Sequence, residues 1–481
     1  ILPWGSGDDV RKISPVQATA AYLNHIRLAW NSQQGDDDAL YFENQTIIIT
    51  VPASFDEVAR DLTIEAAAMA GLKNMTLLEE PLAAFYSWLI AHEADWQDHI
   101  RPGELVLVCD VGGGTTDFTL ITLDETEGAP RFVRIAVGDH LILGGDNIDL
   151  ALARHVEKDV SGQAPLAGDR WKTLCHLCRQ AKENILNSDI PGDTVTMMGT
   201  GARLIGGTLS AEIRRESLEK IVLDGFFPVV KPDSGVARSG IRKGISEFGL
   251  PYAAEPAITR HIGIFLEKHR DEVQNLLQKP PLPDFILFNG GSLKATVVQE
   301  RIREAIRTWF AVADERLPRI LENPDPDLAV ALGAGYYGLV KSGQGVRVGS
   351  GSARAYYLGL AGTVQREENQ AVCLVERGTE EGERIRLPDR VFEVLTNQPV
   401  HFALYSSSFR SGDKSGDLIP VDDTLTPLPP VQTVIQFGQK GVRTAIPVQI
   451  EAEYTEMGVL AIWCRSLSSP HRWRLQFQLR N

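Results

Sequence analysis

The stretch Asp110-Val-Gly-Gly-Gly-Thr-Thr-Asp117 constrains this chain more than any other, because apolar runs flank it, Leu105 to Cys109 before and Phe118 to Thr122 after. That order reads as strand, glycine turn, strand. Gly112, Gly113 and Gly114 admit positive φ and let the backbone come close to a ligand. Their N–H groups, with the hydroxyls of Thr115 and Thr116, can converge on phosphate oxygens. Asp110 and Asp117 stand at the two ends of the turn, placed to hold a divalent metal or an attacking water.

Other phosphate-binding loops fit less well. A P-loop requires Lys-Ser or Lys-Thr after its last glycine and then a helix, and the dinucleotide fingerprint requires a third spaced glycine. Neither is present here. What remains resembles the phosphate hairpin of actin-like ATPases. The plainer alternative is a tight structural hairpin, which the paired threonines and the Asp at each end make the weaker reading.

With 481 residues, the chain is expected to hold two or three domains. Acidic residues outnumber basic ones, 63 to 48, and the net charge of −15 disfavours nucleic acid and anionic membrane surfaces as partners. An anionic nucleotide in a local pocket stays compatible with it. The cysteines, Cys109, Cys175, Cys178, Cys373 and Cys464, are odd in number and scattered, which points to a reducing, cytoplasmic setting. Cys175-His-Leu-Cys178 has zinc-like spacing without a second pair, so helix packing is the expectation there. No run of 18 apolar residues and no signal peptide is apparent. The chain opens on Ile1 and is read as a possible fragment.

Along the chain, Ser14-Pro15 opens a helix to about Trp30. Gln45 to Val51 reads as a strand, and Ser54 with Glu57 as a capping box for the Ala-rich helix ending at Gly71. The strand Met75 to Leu78 and the helix Pro81 to about His92 follow, an alternation typical of an α/β domain. Thr173 to Leu186 and Thr259 to Leu277 read as helices. Phe285 to Phe288 reads as a strand ending in Asn289-Gly-Gly-Ser292 before a helix from Ala295 to Phe310. Residues 341–352 hold Gly343, Gly345, Gly349 and Gly351 and read as a linker. From 353 to 481 the periodicity becomes two: Val448, Ile450, Ala452 and Tyr454 alternate with polar residues, as do Trp473, Leu475, Phe477 and Leu479. An antiparallel β-sandwich without a following helical lid is expected there.

Seven motifs now fall in a recognisable order: Val51-Pro-Ala-Ser-Phe55, Ala70-Gly-Leu72, Glu80-Pro-Leu-Ala-Ala84, Asp110 to Asp117, Leu143-Gly-Gly-Asp146, Gly290-Gly-Ser292, and Asn323-Pro-Asp-Pro-Asp-Leu-Ala-Val-Ala-Leu-Gly-Ala334. In this order they resemble the 70-kDa heat-shock (DnaK-type) chaperone family. The resemblance implies an actin-like, ribonuclease-H-like α/β ATPase domain over residues 1–340, its first lobe incomplete, and a peptide-binding sandwich over 353–481. It further implies ATP or ADP with Mg²⁺, extended apolar or unfolded peptides as clients, co-chaperones of the J-domain and nucleotide-exchange types, and a role in protein folding and the stress response.

Carried over by motif, the resemblance makes Asp110, Thr115, Glu80 and Asp117 the catalytic set. Asp110 and Glu80 hold Mg²⁺ through water. Gly112, Gly113, Gly114 and Thr116 bind phosphate, while Gly144, Gly145, Lys182, Gly290, Gly291, Ser292 and Lys294 surround ribose and adenine. Taken alone, Glu80 is also compatible with a helix-start carboxylate and Lys182 with a solvated helix residue.

Departures from the family pattern bear on activity. The family's first phosphate loop of Asp-x-Gly-Thr-Thr type and its phosphate-contacting lysine do not appear in this sequence. Arg179 stands where the family has an acid, the segment to Ser188 is one residue longer, and Lys294 replaces an arginine that stacks on adenine. Weak nucleotide binding with little turnover is therefore expected. The alternatives are a non-catalytic actin-fold scaffold or interaction protein and, further off, a carbohydrate kinase.

Overall fold

The computed structural model describes residues 10–477 except 36, 54, 126–130, 140, 162–164, 167, 199–207, 232–254, 324, 350, 353, 361–369, 388–389, 409, 411, 438–441 and 456–458. Helix α1 (Pro15–Asn31) starts where Ser14 and Gln17 exchange side-chain-to-backbone bonds, a capping box with Pro15 at the first turn. Strand β1 (Ile47–Val51) pairs in parallel with β2 (Met75–Glu79). Between them lies α2 (Glu57–Met69), capped by Asp56, whose carboxylate accepts Ala59 N–H at 2.8 Å. This replaces the expected Ser54–Glu57 box. With Asp56 as the cap, Glu57 is the first helical residue and cannot reach back. Ser54 lies outside the described residues.

Helix α3 (Glu80–Ala91) begins directly after β2, with Pro81 in its first turn, and the short α4 (Trp96–His99) follows. Then come β3 (Leu105–Val111), β4 (Thr116–Asp124), β5 (Arg131–Val137), α5 (Gly145–Ser161) and α6 (Asp169–Leu186). The hairpin of β6 (Gly192–Met198) and β7 (Thr208–Arg214) leads to α7 (Arg215–Glu219). After it come α8 (Ile258–Lys268), α9 (Arg270–Leu277), β8 (Phe285–Asn289), α10 (Thr296–Phe310), β9 (Arg319–Leu321), α11 (Ala329–Lys341) and β10 (Val348–Gly349).

The single helix expected from Thr259 to Leu277 is two helices. His269, with φ −101° and ψ 14°, leaves the helical region between α8 and α9. The apolar period continues across the break, so the pattern alone does not reveal it.

Six of these strands form a mixed sheet in the order β10-β5-β4-β3-β8-β9. The pairs β10/β5, β3/β8 and β8/β9 are parallel, while β3, β4 and β5 form an antiparallel meander. Strand β3 is buried throughout because both its faces are covered. Leu105, Leu107, Cys109 and Val111 pack with α5, α6, α8 and α10. Val106 and Val108 pack with α3 and α11 on the other face. Within the 341–352 segment read as a linker, Val348 is fully buried, lies opposite Phe132 in β5, and donates its N–H to the Tyr86 hydroxyl at 3.0 Å.

The C-terminal region is antiparallel throughout: β11 (Ala355–Leu360), β12 (Gln370–Val375), β13 (Glu383–Arg386), β14 (Phe392–Leu395), β15 (Pro399–Ser407), β16 (Leu418–Pro420), β17 (Thr426–Val434), β18 (Ala445–Tyr454), β19 (Leu460–Ser466) and β20 (Arg472–Phe477). Their hydrogen-bonded path runs β13-β18-β19-β20-β17-β15-β11-β12-β16, with β14 also on β18. The path folds over itself, so that Leu358 and Val372 share a core with Val448, Ile450 and Ile462. Tyr454 faces Leu460 across the β18/β19 hairpin, and Leu479 lies outside the described residues. Among the described residues no helix follows α11.

Buried polar contacts join the two regions. Glu79 pairs with Arg60 at 2.7 Å and with Arg134, each side chain less than a tenth exposed, and Arg134 donates to Gly351 O at 2.7 Å. The Glu57 carboxylate accepts the Tyr356 hydroxyl and, at 2.8 Å, Leu460 N–H. Arg377 pairs with Glu272 and donates to Ile135 O.

Candidate functional site

The central sheet brings three chain segments together at one end. Strands β3 and β4 set Asp110 opposite Asp117, both buried, and the turn between them closes through Gly112 N–H to Thr115 O at 3.0 Å. Gly113 and Gly114 at its tip are exposed. Strand β8 ends with Asn289 opposite Asp110 in register. The next residue, Gly290, has φ +84°, and a Cβ there would sit 2.3 Å from Val111 O and 2.9 Å from Asp110 Oδ1. Only glycine lets the end of β8 lie this close to β3.

Electrostatics set these carboxyls apart from ordinary surface acids. Burial raises Asp110 to about 6, against the lowering effect of its hydrogen bond with Asn289. Glu80, the first residue of α3, is raised to about 7 by burial and by the nearby charges of Asp110 and Asp117. Three acids near one exposed glycine tip repel one another unless protons or a cation intervene. A bound divalent cation reverses that balance.

A second group closes against the hairpin. Gly145 N–H and Asp146 N–H at the start of α5 donate to the carbonyls of Gly112 and Gly113 at 2.9 and 2.8 Å. A Cβ on Gly144 would stand 2.6 Å from Gly113 O. The Ser292 hydroxyl also donates to Gly112 O, at 3.1 Å. Behind these, Lys182 is buried and pairs with Asp149 at 2.7 Å, so it is not a solvated helix residue. Arg179 donates to the same Asp149 at 2.9 Å and pairs with Asp146. Lys182, Leu186, Gly291, Ser292, Ile148 and Val222 line a cavity of about 20 Å³. That volume is about that of one ordered water.

Two of the expected ligand residues are engaged elsewhere. Thr116 is fully buried and its hydroxyl donates to Leu143 O at 2.7 Å, away from the glycine tip; Thr115 stays half-buried at the turn. Thr116 is the first residue of β4, a strand buried on both faces. Lys294 pairs with Asp327 and is not among the residues lining the small cavity. The Cys175–Cys178 pair lies on α6, with Cys178 in the core and pushed up to about 12 by burial.

The structure adds residues that motif reading passed over. Asn289 bonds Asp110 through its side chain while its Oδ1 is buried with no partner among the described residues. A polar residue closing an apolar strand just before Gly290-Gly291 is the legible signal. Asp146 and Asp149 on α5 meet Arg179 and Lys182 on α6, matched i, i+3 pairs that helical spacing alone could have suggested.

Residues 6–238 match the family described as Hsp70 protein. Among curated proteins, a chaperone protein HscA homolog of Cupriavidus metallidurans is 31% identical over 287 residues, covering 59% of this chain and 41% of that protein. The HscA homolog of Pseudoalteromonas atlantica is 26% identical over 324 residues, 67% of this chain and 41% of that protein. That of Acinetobacter baumannii is 28% identical over 219 residues, 45% of this chain and 32% of that protein. These matches support an Hsp70-type family member over residues 6–238, just under half of the chain. It spans about two fifths of the length of the first two relatives. Among the described residues no helix is long and apolar enough to cross a membrane.

Proposed function

We propose that this chain works as an Hsp70-type molecular chaperone, in which Mg-ATP or Mg-ADP at the glycine hairpin controls the grip of the C-terminal β-region on extended apolar peptides. The observation that carries this reading is the grouping of Glu80 with Asp110 and Asp117 at the base of the hairpin whose Gly113–Gly114 tip is exposed, with the carboxyls of Glu80 and Asp110 raised.

The phosphate and metal side of the site fits a nucleotide. Carboxyls that burial and mutual repulsion hold partly protonated are relieved by a divalent cation, and the unpartnered Asn289 Oδ1 offers a further acceptor to its water shell. When bound, Mg-ATP would supply the phosphoryl group and, in its Mg²⁺, the cation that offsets the charge of these carboxylates. Asp110 and Glu80 would hold the cation through water, Asp110 would also orient the attacking water, and the hairpin from Gly112 to Thr115 would hold phosphate oxygens. Positioning and electrostatics of this kind account for most of phosphoryl-transfer catalysis. On the base side, Gly144, Gly145, Lys182, Gly290, Gly291 and Ser292 surround ribose and adenine. The cavity of about 20 Å³ that Lys182, Gly291 and Ser292 line must widen to admit a purine. Binding is therefore weak.

In this reading residues 1–340 form an actin-like domain, 341–352 connect it, and 353–481 form the peptide-binding sandwich, whose strands add main-chain bonds to an extended peptide. J-domain and nucleotide-exchange co-chaperones are the partners. Calorimetric titration with Mg-ADP and Mg-ATP, with a turnover assay, tests the nucleotide site. Asp110→Asn should lower any turnover by at least about an order of magnitude while binding suffers less. Saturation that is indifferent to both Asp110→Asn and Glu80→Gln, or no binding at all, would leave the non-catalytic scaffold in its place.

A further inference from the structure

Away from the glycine hairpin, the turn between α3 and α4 gathers two imidazoles and a carboxylate. His92 follows the last residue of α3, Asp95 precedes α4, and His99 ends it. The turn is fixed by Trp96 N–H donating to His92 O at 2.8 Å and by the buried Trp96 ring, which packs on Phe132 with centroids 5.2 Å apart. Trp88, itself buried, lies against the His92 ring at 4.8 Å and presents its edge to His99 at 5.9 Å. The Trp88 indole thus touches both imidazoles, whose centroids lie 4.4 Å apart.

Asp95 bridges them, with Oδ1 3.1 Å from His92 Nδ1 and Oδ2 3.3 Å from His99 Nε2. One ligand atom from each of the three residues lies within 4.8 Å of the others. A tetrahedral centre with bonds of about 2.0–2.1 Å spaces its ligand atoms about 3.3 Å apart, so small side-chain adjustments bring all three to one ion. Two nitrogens and one oxygen, with the remaining positions open to water, form a donor set suited to zinc or copper rather than magnesium or calcium. His92 is about a quarter exposed and His99 and Asp95 more so, which leaves an entry path.

We propose that His92, Asp95 and His99 form a binding site for a divalent transition-metal ion of the zinc or copper class, separate from the nucleotide site. The ion replaces the two His–Asp hydrogen bonds by coordination and clasps the end of α3 to α4. The neighbouring Glu93 bonds the Tyr336 hydroxyl of α11 at 3.2 Å, so the clasp sits where α3 is already tied to the next helix.

The test titrates the whole chain with Zn²⁺ by calorimetry and with Cu²⁺ by electron paramagnetic resonance. The expected result is one saturable equivalent with hyperfine splitting from two nitrogens, weakened about tenfold or more in His99→Gln and in Asp95→Asn. His99 is the more exposed imidazole, and circular dichroism verifies that its variant stays folded. Retention of the same affinity and splitting by His92→Gln/His99→Gln would overturn the proposal, as would the absence of saturable Zn²⁺ or Cu²⁺ binding at micromolar concentrations in the unaltered protein.

Discussion

Replacing Glu79 by Gln takes the one negative charge out from between two buried guanidinium groups. Arg60 and Arg134 both pair with this carboxylate, and the three side chains are exposed by only 7%, 5% and 6% in the order Arg60, Arg134, Glu79. Removing one partner of a buried pair costs about 3–5 kcal/mol, because the survivor's charge stays buried and uncompensated. Here one carboxylate serves two cations, and the amide of Gln would point N–H donors at a guanidinium that has only donors itself. The upper part of that range is expected, a large share of the roughly 5–15 kcal/mol that holds a folded protein together. Burial by itself would push Glu79 up, but Arg134 and Arg60 outweigh it and hold the group below the usual carboxylate range. A lowered folded pKa gives stability that is fully present above the unfolded value of about 4.3 and lost as pH falls through the folded value. The gap between the two proteins should therefore be widest at neutral pH and close in acid. Urea denaturation followed by circular dichroism at several pH values reads it, with hydrogen exchange in β2 and β10 locating the loss. A difference under about 1 kcal/mol, the size of an exposed ion pair, would refute the reasoning. So would a gap that persists unchanged in acid.

Gly333→Ala should destabilise by about 1–3 kcal/mol in thermal denaturation, since its Cβ would fall 1.7 Å from Ala83 O where α11 crosses α3. Gly335→Ala, two residues on and facing open space, should instead stabilise by about 0.5–1 kcal/mol. Glu80 is raised to about 7 in the folded chain, so its contribution to stability falls as pH rises from about 4.3 to that value; Glu80→Gln should flatten this slope in pH-resolved denaturation and exceed the unaltered protein above it. Tyr356→Phe removes a hydroxyl donated to the buried Glu57 carboxylate and should cost about 1.5–3 kcal/mol, measured by urea midpoint.

Elements whose signals are local are readable from the residues alone. Ser14-Pro15 marks the start of α1, the apolar runs around Gly112 to Gly114 mark β3 and β4, and period-two alternation marks β18 and β20. Competing local signals are harder. Asp56 and Ser54 both look like caps, and adjacency to the first helical residue favours Asp56. The break at His269 leaves no mark because the apolar faces of α8 and α9 keep one period. At the site, motif order brings Asp110, Glu80 and Gly290 into one view. Thr116 departs because it sits on a strand buried on both faces and its hydroxyl is taken by Leu143 O. Least legible is the joint made by Glu57, Arg60, Glu79, Arg134 and Tyr356. Its members are separated by up to 299 positions, and each by itself reads as an ordinary surface charge or core aromatic.

The hairpin and the start of α5 already satisfy one another, because the carbonyls of Gly112 and Gly113 occupy the N–H groups of Gly145 and Asp146. Any anionic ligand group that reached for those N–H groups would not fill a void; it would compete with the chain's own backbone. Recognition at this end of α5 would thus be an exchange reaction, its net free energy the difference between two sets of hydrogen bonds of similar kind. What tips the exchange is charge, since a phosphate oxygen is anionic and a carbonyl is not. A neutral mimic of the same shape would gain nothing by the swap, so under the proposed function this closed contact would favour anions over uncharged analogues.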